Sequence, residues 1–193
     1  MTIGGVALWA HFCQTARNNT RAYAGKDTGS TLRAKHEKEF SKSEACLRDQ
    51  YGAICWRMNR GTVEVLLVTS RDTGRWVIPK GWPMASLSAA ESAAQEAWEE
   101  AGVEGKVSEV PIGVYQYLKR RIPKDPLPCA VTAFPLHVER LADKFPERKE
   151  RQRKWFSARK AAKKVDEPEL KLILASLTAE TLITFPTETS DHA

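Results

Sequence analysis

The stretch Ser88-Ala-Ala-Glu-Ser-Ala-Ala-Gln-Glu-Ala-Trp-Glu-Glu-Ala-Gly102 contains a complete helix with its start and stop signals. Ser88 followed by Glu91 is the capping-box pattern that begins a helix. Ala, Glu and Gln, which favour the helical state, fill most of the stretch. Gly102 suits the left-handed residue that ends a helix. The sequence therefore predicts a helix over residues 89–101.

This helix carries three glutamates on one narrow face. At about 100° per residue, Glu96, Glu99 and Glu100 project at roughly 0°, 300° and 40° around the axis. The helix contains no Lys or Arg to offset their mutual repulsion. Mg²⁺ and Mn²⁺ prefer such oxygen ligands, so the face is interpreted either as a metal site or as solvated surface. The residues upstream of the helix decide between these interpretations.

Short apolar runs on both sides of the helix predict a mixed α/β domain. Asn59-Arg-Gly61 separates two β-rich runs and predicts a hairpin. Ser157 is predicted to cap a basic helix, and residues 167–177 to form a last amphipathic helix. The predicted strands lie within 51–56, 63–69, 76–79, 112–118, 130–138 and 154–156. Strands and helices mixed in this way predict an α/β sandwich in one domain.

The ends of the chain differ from this central part in composition. Residues 1–45 are polar and lack a sustained apolar period, which predicts a flexible extension with a short helix near 32–40. Residues 46–182 are predicted to form the folded domain, and residues 183–193 a Pro/Thr-rich tail.

Composition restricts the cellular setting. The four cysteines stand singly without a neighbouring His, which favours free thiols in the reducing cytoplasm over a zinc site or disulfides. Residues 17–33 resemble a transit peptide only weakly. No apolar run approaches the roughly 20 residues that span a bilayer, so no membrane partner is expected.

The net charge of +6 indicates a polyanionic partner without choosing one. Much of the excess lies in 119–121 and 148–164. A nucleic-acid partner is not expected, because the Ala-rich basic segment offers no aromatic platform for bases. A phosphorylated small molecule is expected instead. The sequence does not predict an oligomeric state.

From Gly81 onward the chain resembles the Nudix hydrolases. Their box runs Gly, five residues, Glu, seven residues, Arg-Glu, an apolar residue, any residue, Glu-Glu, any residue, Gly and an apolar residue. The chain supplies Glu96, Ala97, Glu99, Glu100, Gly102 and Val103 in register. The first Glu of the box falls on Leu87 and its Arg on Gln95. The resemblance implies that this Glu and this Arg form an ion pair. Because both are replaced by uncharged residues, no charge is left without a partner, and we interpret the change as a subfamily variant.

The resemblance extends over roughly residues 50–177. The segments 65–71, 75–81 and 153–156 are similar to the Nudix branch that hydrolyses diphosphoinositol polyphosphates and diadenosine polyphosphates. The resemblance implies an α/β/α sandwich around a mixed sheet, in which the box forms loop, helix and loop.

The resemblance also implies roles for individual residues. Glu96, Glu99 and Glu100 would be catalytic and would hold Mg²⁺, or Mn²⁺, together with the backbone carbonyl of Gly81. Which carboxylate acts as the base stays open. The substrate's remaining phosphates would be bound by four basic side chains: Arg71, Lys80, Lys119 and Arg120. For Trp82, both packing and stacking on a base stay open.

The implied function is cleavage of a pyrophosphate bond in a nucleoside-diphosphate-linked or inositol pyrophosphate molecule. A diadenosine polyphosphate or a diphosphoinositol polyphosphate is the expected substrate. The alternative is a catalytically degenerate Nudix fold that only binds a nucleotide or RNA. Leu87 and Gln95 favour that alternative, whereas the three retained carboxylates oppose it.

Overall fold

The computed structural model describes residues 47–120 and 125–183. Eight strands in these ranges form one mixed sheet: β1 (Arg48–Asn59), β2 (Thr62–Thr69), β3 (Trp76–Val77), β4 (Lys80–Gly81), β5 (Val103–Val107), β6 (Gly113–Lys119), β7 (Leu127–Leu141) and β8 (Arg153–Ser157). Four helices accompany them: α1 (Ala89–Ala101), α2 (Ala158–Ala162), α3 (Pro168–Ala175) and α4 (Ala179–Ile183).

The predicted hairpin joins β1 to β2. Asn59 pairs with Thr62, so only Arg60 and Gly61 form the turn. Both have positive φ, 47° and 75°, as a two-residue hairpin turn of right-handed strands requires. The Gly-containing break is therefore confirmed as a tight turn.

The centre of the sheet is a parallel pair. β1 runs parallel to β7, and all other pairings are antiparallel. The strand order is β3-β2-β1-β7-β5, while β4 pairs with β1, β6 with β7 and β8 with β2. This arrangement places the ends of β1, β4 and β6 beside one another, where the cleft described below opens.

Each face of the sheet carries its own core. Ile54 of β1 and Leu67 of β2 point to the face covered by α2, α3 and α4. Ala53 and Leu66 point to the other face, where the alanines of α1 pack. This alternation follows from the two-residue period of a strand. The architecture is an α/β/α sandwich around a mixed sheet, as predicted.

The ends of α1 also form as predicted. The Glu91 backbone N–H donates to Ser88 Oγ at 3.1 Å, and Glu91 Oε2 accepts from the Ser88 backbone N–H at 2.7 Å. Gly102 adopts the left-handed conformation, with φ of 64°. Ser157 precedes α2 as predicted, but its side chain makes no capping hydrogen bond.

Some predictions concern parts outside the described residues. They include the extension over 1–45 with its helix near 32–40, and the tail beyond Ile183. The domain boundaries therefore stay predictions. Cys55 is a buried thiol, and burial raises its pKa. Within 47–120 and 125–183, no helix has the length and apolar character to cross a membrane.

Candidate functional site

A cleft of about 730 Å³ contains every residue that the sequence singled out for the site. It is lined by Arg71, Lys80, Gly81, Glu96, Glu99, Glu100, Lys119 and Arg120. The three glutamates come from α1, Lys80 and Gly81 from β4, and Lys119 from the end of β6. Residues up to 49 positions apart are thus brought together, although their roles stay predictions.

Glu96 lies directly against the backbone of Gly81. A Cβ atom added at Gly81 would stand 1.8 Å from Glu96 Oε1, far inside any permitted contact. β4 holds this glycine in the sheet, because Gly81 pairs with Tyr51 of β1. Only glycine at this position leaves room for the carboxylate, so the loop and α1 meet here without an intervening side chain.

Glu100 is the most buried of the three carboxylates, with 5% of its surface exposed. Its Oε1 accepts a hydrogen bond from Arg151, whereas its buried Oε2 has no partner. Burial raises the pKa of Glu100 to about 7, against the opposing effect of Lys80 and Arg151. A buried acceptor without a donor is unfavourable unless another group completes it.

Arg151 joins α1 to the segment that precedes β8. Its side chain is 7% exposed and donates to Glu147 Oε2 at 2.5 Å and to the Thr69 carbonyl at 2.9 Å, besides its bond to Glu100. Sequence reasoning missed this residue. It lay within the basic run 148–164, which was interpreted only as a surface for polyanions, and nothing in the run distinguishes a buried Arg.

The basic side chains of the cleft are held in different ways. Arg71 pairs with Glu147 at 3.0 Å and with Glu150 at 3.3 Å, and Glu147 raises its pKa. Burial lowers the pKa of Lys80, whose Nζ lies 5.2 Å from the Tyr117 ring centroid. Both contacts of Arg71 use Nη1, so they leave the Nε and Nη2 groups of this half-exposed side chain unengaged.

Trp82 lies at the exposed side of the cleft. Its side chain is 38% exposed, and Lys119 Nζ lies 4.8 Å from its ring centroid. Arg48 lies 5.8 Å from the same ring. Two cations thus approach the indole. Packing in the core is therefore wrong for Trp82, and stacking on a base stays a prediction.

The segment 142–153 is anchored to the end of α1. The Ala142 backbone N–H donates to the Gly102 carbonyl at 2.8 Å, and that of Glu147 to the Glu99 carbonyl at 3.0 Å. Arg153 Nη1 donates to the Ala101 carbonyl at 2.5 Å. These bonds satisfy carbonyls that a helix end leaves without partners.

The residues fit a divalent cation in part. Among the described residues, no three His, Cys, Asp or Glu side chains are already assembled closely enough to enclose an ion. The partnerless Oε2 of Glu100 and the carboxylate of Glu96 beside Gly81 are, however, oxygen ligands within one cleft. Glu100 would offer its free Oε2 to the cation while its Oε1 stays bonded to Arg151.

A family model described as the NUDIX domain matches residues 48–177, which is most of the chain. The chain belongs to the Nudix family. Nudix hydrolase 12, mitochondrial, of Arabidopsis thaliana is 35% identical over 51% of this chain and 50% of its own length. Diphosphoinositol polyphosphate phosphohydrolase 3-alpha of Homo sapiens is 29% identical over 64% of this chain and 68% of its own.

The Nudix fold is also found among solved structures. An Ap4A hydrolase binary complex from C. elegans has a TM-score of 0.50 with 21% identity, over 67% of this chain and 93% of that one. At this identity the likeness concerns the fold alone. The chain spans only 50% to 58% of the length of the first curated relatives.

The two departures from the Nudix box lie close to one another. Leu87 and Gln95 both line a shallow groove of about 420 Å³ beside α1. Gln95 also reaches Glu99, which lines the main cleft, and its Nε2 donates to Glu99 Oε1 at 2.7 Å. The neutral side chain thus holds one of the predicted metal ligands.

Replacing Gln95 with alanine should weaken divalent-cation binding about fivefold. The variant loses a hydrogen bond to a carboxylate, which is worth about 1 kcal/mol. Isothermal titration with Mn²⁺ measures the change. Gln116→Ala, on an exposed position of β6, is the matched control. Unchanged Mn²⁺ affinity in Gln95→Ala would show that this hydrogen bond does not position Glu99.

Proposed function

We propose that this chain is a divalent-metal-dependent pyrophosphohydrolase. Its substrate class is a small molecule with a phosphoric anhydride, either a dinucleoside polyphosphate or an inositol pyrophosphate. The observation that carries the proposal is the buried, partnerless Oε2 of Glu100 in a cleft shared with Glu96 and Gly81. The family membership and the substrate named for the human relative support it.

Each group of side chains has a separate task in this proposal. Glu96, Glu99 and Glu100, with the Gly81 carbonyl, would hold Mg²⁺ or Mn²⁺. The cations would supply Lewis-acid stabilisation of phosphoryl oxygens and lower the pKa of water. The remaining phosphates would be bound through charge-assisted hydrogen bonds by Arg71, Lys80, Lys119 and Arg120.

The proposal predicts Mg²⁺-dependent release of phosphate or nucleotide from one member of a substrate panel. The panel comprises diadenosine tetraphosphate, a diphosphoinositol polyphosphate, a nucleotide sugar and triphosphate-ended RNA. Glu100→Gln should lower turnover at least about 100-fold, because a metal ligand supplies several kcal/mol of charge stabilisation. Chelation should have the same effect.

Glu109→Gln is the matched control, since Glu109 is exposed and lies outside the cleft. Turnover equal to that of Glu100→Gln on every substrate, with Mg²⁺ and with Mn²⁺, would reject hydrolysis. The remaining alternative would then be a nucleotide-binding or RNA-binding module, and Leu87 and Gln95 would become the residues to restore to the Nudix pattern.

A cytoplasmic location stays our proposal from the isolated cysteines. The Arabidopsis relative carries the word mitochondrial in its name. Imaging of a fluorescent fusion tests the location, and accumulation in an organelle would show it to be wrong.

A further inference from the structure

A second polar cluster, which no predicted site residue belongs to, lines the same cleft. We call Gln50, Arg75, Tyr117, Asp166 and Glu167 the second cluster. Arg75 Nη1 donates to Glu167 Oε1 at 2.6 Å and lies 3.6 Å from Asp166 Oδ2. Gln50 lies on β1 and Tyr117 on β6, and the two acidic residues directly precede α3, whereas α1 contributes none.

The charge of this cluster opposes a phosphate. Arg75 is its one cation, and two carboxylates already pair with that guanidinium. Glu167 is 6% exposed, so water screens its charge poorly. A phosphate placed against Glu167 would meet a carboxylate whose partner Arg75 is already engaged. The nearby Lys80, whose Nζ lies 5.2 Å from the Tyr117 ring centroid, is assigned to the phosphates in the proposed function. The second cluster therefore suits an uncharged group.

Glu167 also has an unused acceptor. Its Oε2 is buried and has no hydrogen-bond partner among the described residues. The buried Tyr115 hydroxyl likewise has none, so it does not reach this oxygen within hydrogen-bond distance. A buried acceptor without a donor is unfavourable. The oxygen is thus left for a donor that a ligand in the cleft would bring.

Gln50 supplies the complementary donor. Its side chain is 1% exposed, and its Oε1 accepts from the Tyr117 hydroxyl at 2.7 Å. Because the amide oxygen is engaged, the Nε2 group is what Gln50 offers to a ligand. A donor on Gln50 and an acceptor on Glu167, both lining the cleft, match the hydroxyl groups of a sugar, each of which both donates and accepts.

We infer that the second cluster selects a nucleoside, with Glu167 Oε2 accepting a hydrogen bond from a ribose hydroxyl. The inference rests on the proposed function and chooses between its two substrate classes. A nucleoside brings an uncharged, hydroxyl-bearing ring next to its phosphates. A diphosphoinositol polyphosphate brings phosphates around its ring, which Glu167 repels.

The test measures KM and kcat for diadenosine tetraphosphate, for its analogue lacking the 2′- and 3′-hydroxyls, and for a diphosphoinositol polyphosphate. Wild-type protein should have a kcat/KM at least about tenfold higher for diadenosine tetraphosphate than for the inositol substrate. Removing the hydroxyls should raise KM about tenfold, as expected for a hydrogen bond to a carboxylate. The kcat should change by less than about twofold.

Glu167→Gln should raise KM for diadenosine tetraphosphate to a similar extent and should no longer respond to the missing hydroxyls. A purely structural role would leave that response intact. Glu169→Gln, an exposed glutamate two residues further along α3, should behave as wild type. The substrate comparison with wild-type protein remains decisive if Glu167→Gln does not fold.

Two results would overturn the inference while leaving the proposed function standing. One is hydrolysis of the inositol substrate at least as efficiently as of the dinucleotide. The other is an equal KM for the analogue and diadenosine tetraphosphate in wild-type protein. Failure of wild-type protein to hydrolyse any of the three would overturn the proposed function, and the inference with it.

Discussion

Replacing Arg151 with alanine should lower the free energy of unfolding by about 3 kcal/mol. The side chain is 7% exposed and bonds to Glu100, to Glu147 and to the Thr69 carbonyl. Removing one partner of a buried ion pair typically costs about 3–5 kcal/mol, because the other charge is left unpaired. The lower end applies because the pKa of Glu100, about 7, lets this carboxyl take up a proton. Urea unfolding measures the change.

Arg148→Ala is the matched control, because Arg148 is an exposed arginine of the same segment. It should change the free energy of unfolding by less than about 0.5 kcal/mol. Arg151→Ala should also lower the free energy of unfolding by a smaller amount in a Glu100→Gln background, because no carboxylate is then left without its partner at position 100. A loss below about 1 kcal/mol in Arg151→Ala would contradict a buried, structural arginine.

Replacing Gly81 with alanine should reduce the proposed hydrolysis at least about tenfold while the protein stays folded. The new Cβ would displace the Glu96 carboxylate, since 1.8 Å separates the two positions. The backbone of Gly81 is not left-handed, so alanine is permitted there. The displaced atoms end a flexible side chain, and we expect the free energy of unfolding to change by less than about 1 kcal/mol.

Gly105 provides the opposite case. A Cβ added there would stand 1.9 Å from the backbone carbonyl oxygen of His137, which cannot turn aside. Gly105→Ala should therefore destabilise the protein by about 2 kcal/mol or more, while the folded fraction keeps its activity. Full activity in Gly81→Ala would show that the position of Glu96 does not matter for the chemistry.

The features predicted from the sequence are those whose signals lie close together in the chain. The capping box, the acidic face and the terminal Gly of α1 fall within residues 88–102. The β1–β2 turn depends on Arg60 and Gly61 alone. The resemblance to the Nudix family then identified which distant segments line the cleft, because the family's motifs occur in the same order along this chain.

The features missed are pairings between distant residues. The parallel pairing of β1 with β7 joins Arg48 to Cys129, and no local pattern specifies that partner. β5, whose sequence is Val-Glu-Gly-Lys-Val, is short and has a Gly at its centre, and it forms where β7 provides the hydrogen-bonding partner. Tertiary context overrides propensity in such cases.

The same limit applies inside the cleft. Glu100 and Arg151 lie 51 residues apart, and Arg75 and Glu167 lie 92 apart. An ion pair between two distant residues produces no periodic pattern in the sequence around either of them. Sequence reasoning could therefore find the charged residues, but it could not tell a residue that pairs within the protein from one that meets a ligand.

The anchoring of segment 142–153 to the end of α1 has an evolutionary consequence. Glu96, Glu99 and Glu100 lie on α1, and Arg151, which contacts Glu100, lies on the segment that hydrogen bonds join to the end of that helix. The second cluster is carried elsewhere, by β1, β6 and the residues directly before α3. Under the proposed function, substitutions in the second cluster would alter the substrate preference while the three glutamates of α1 stay in place, so the two properties would change separately during evolution.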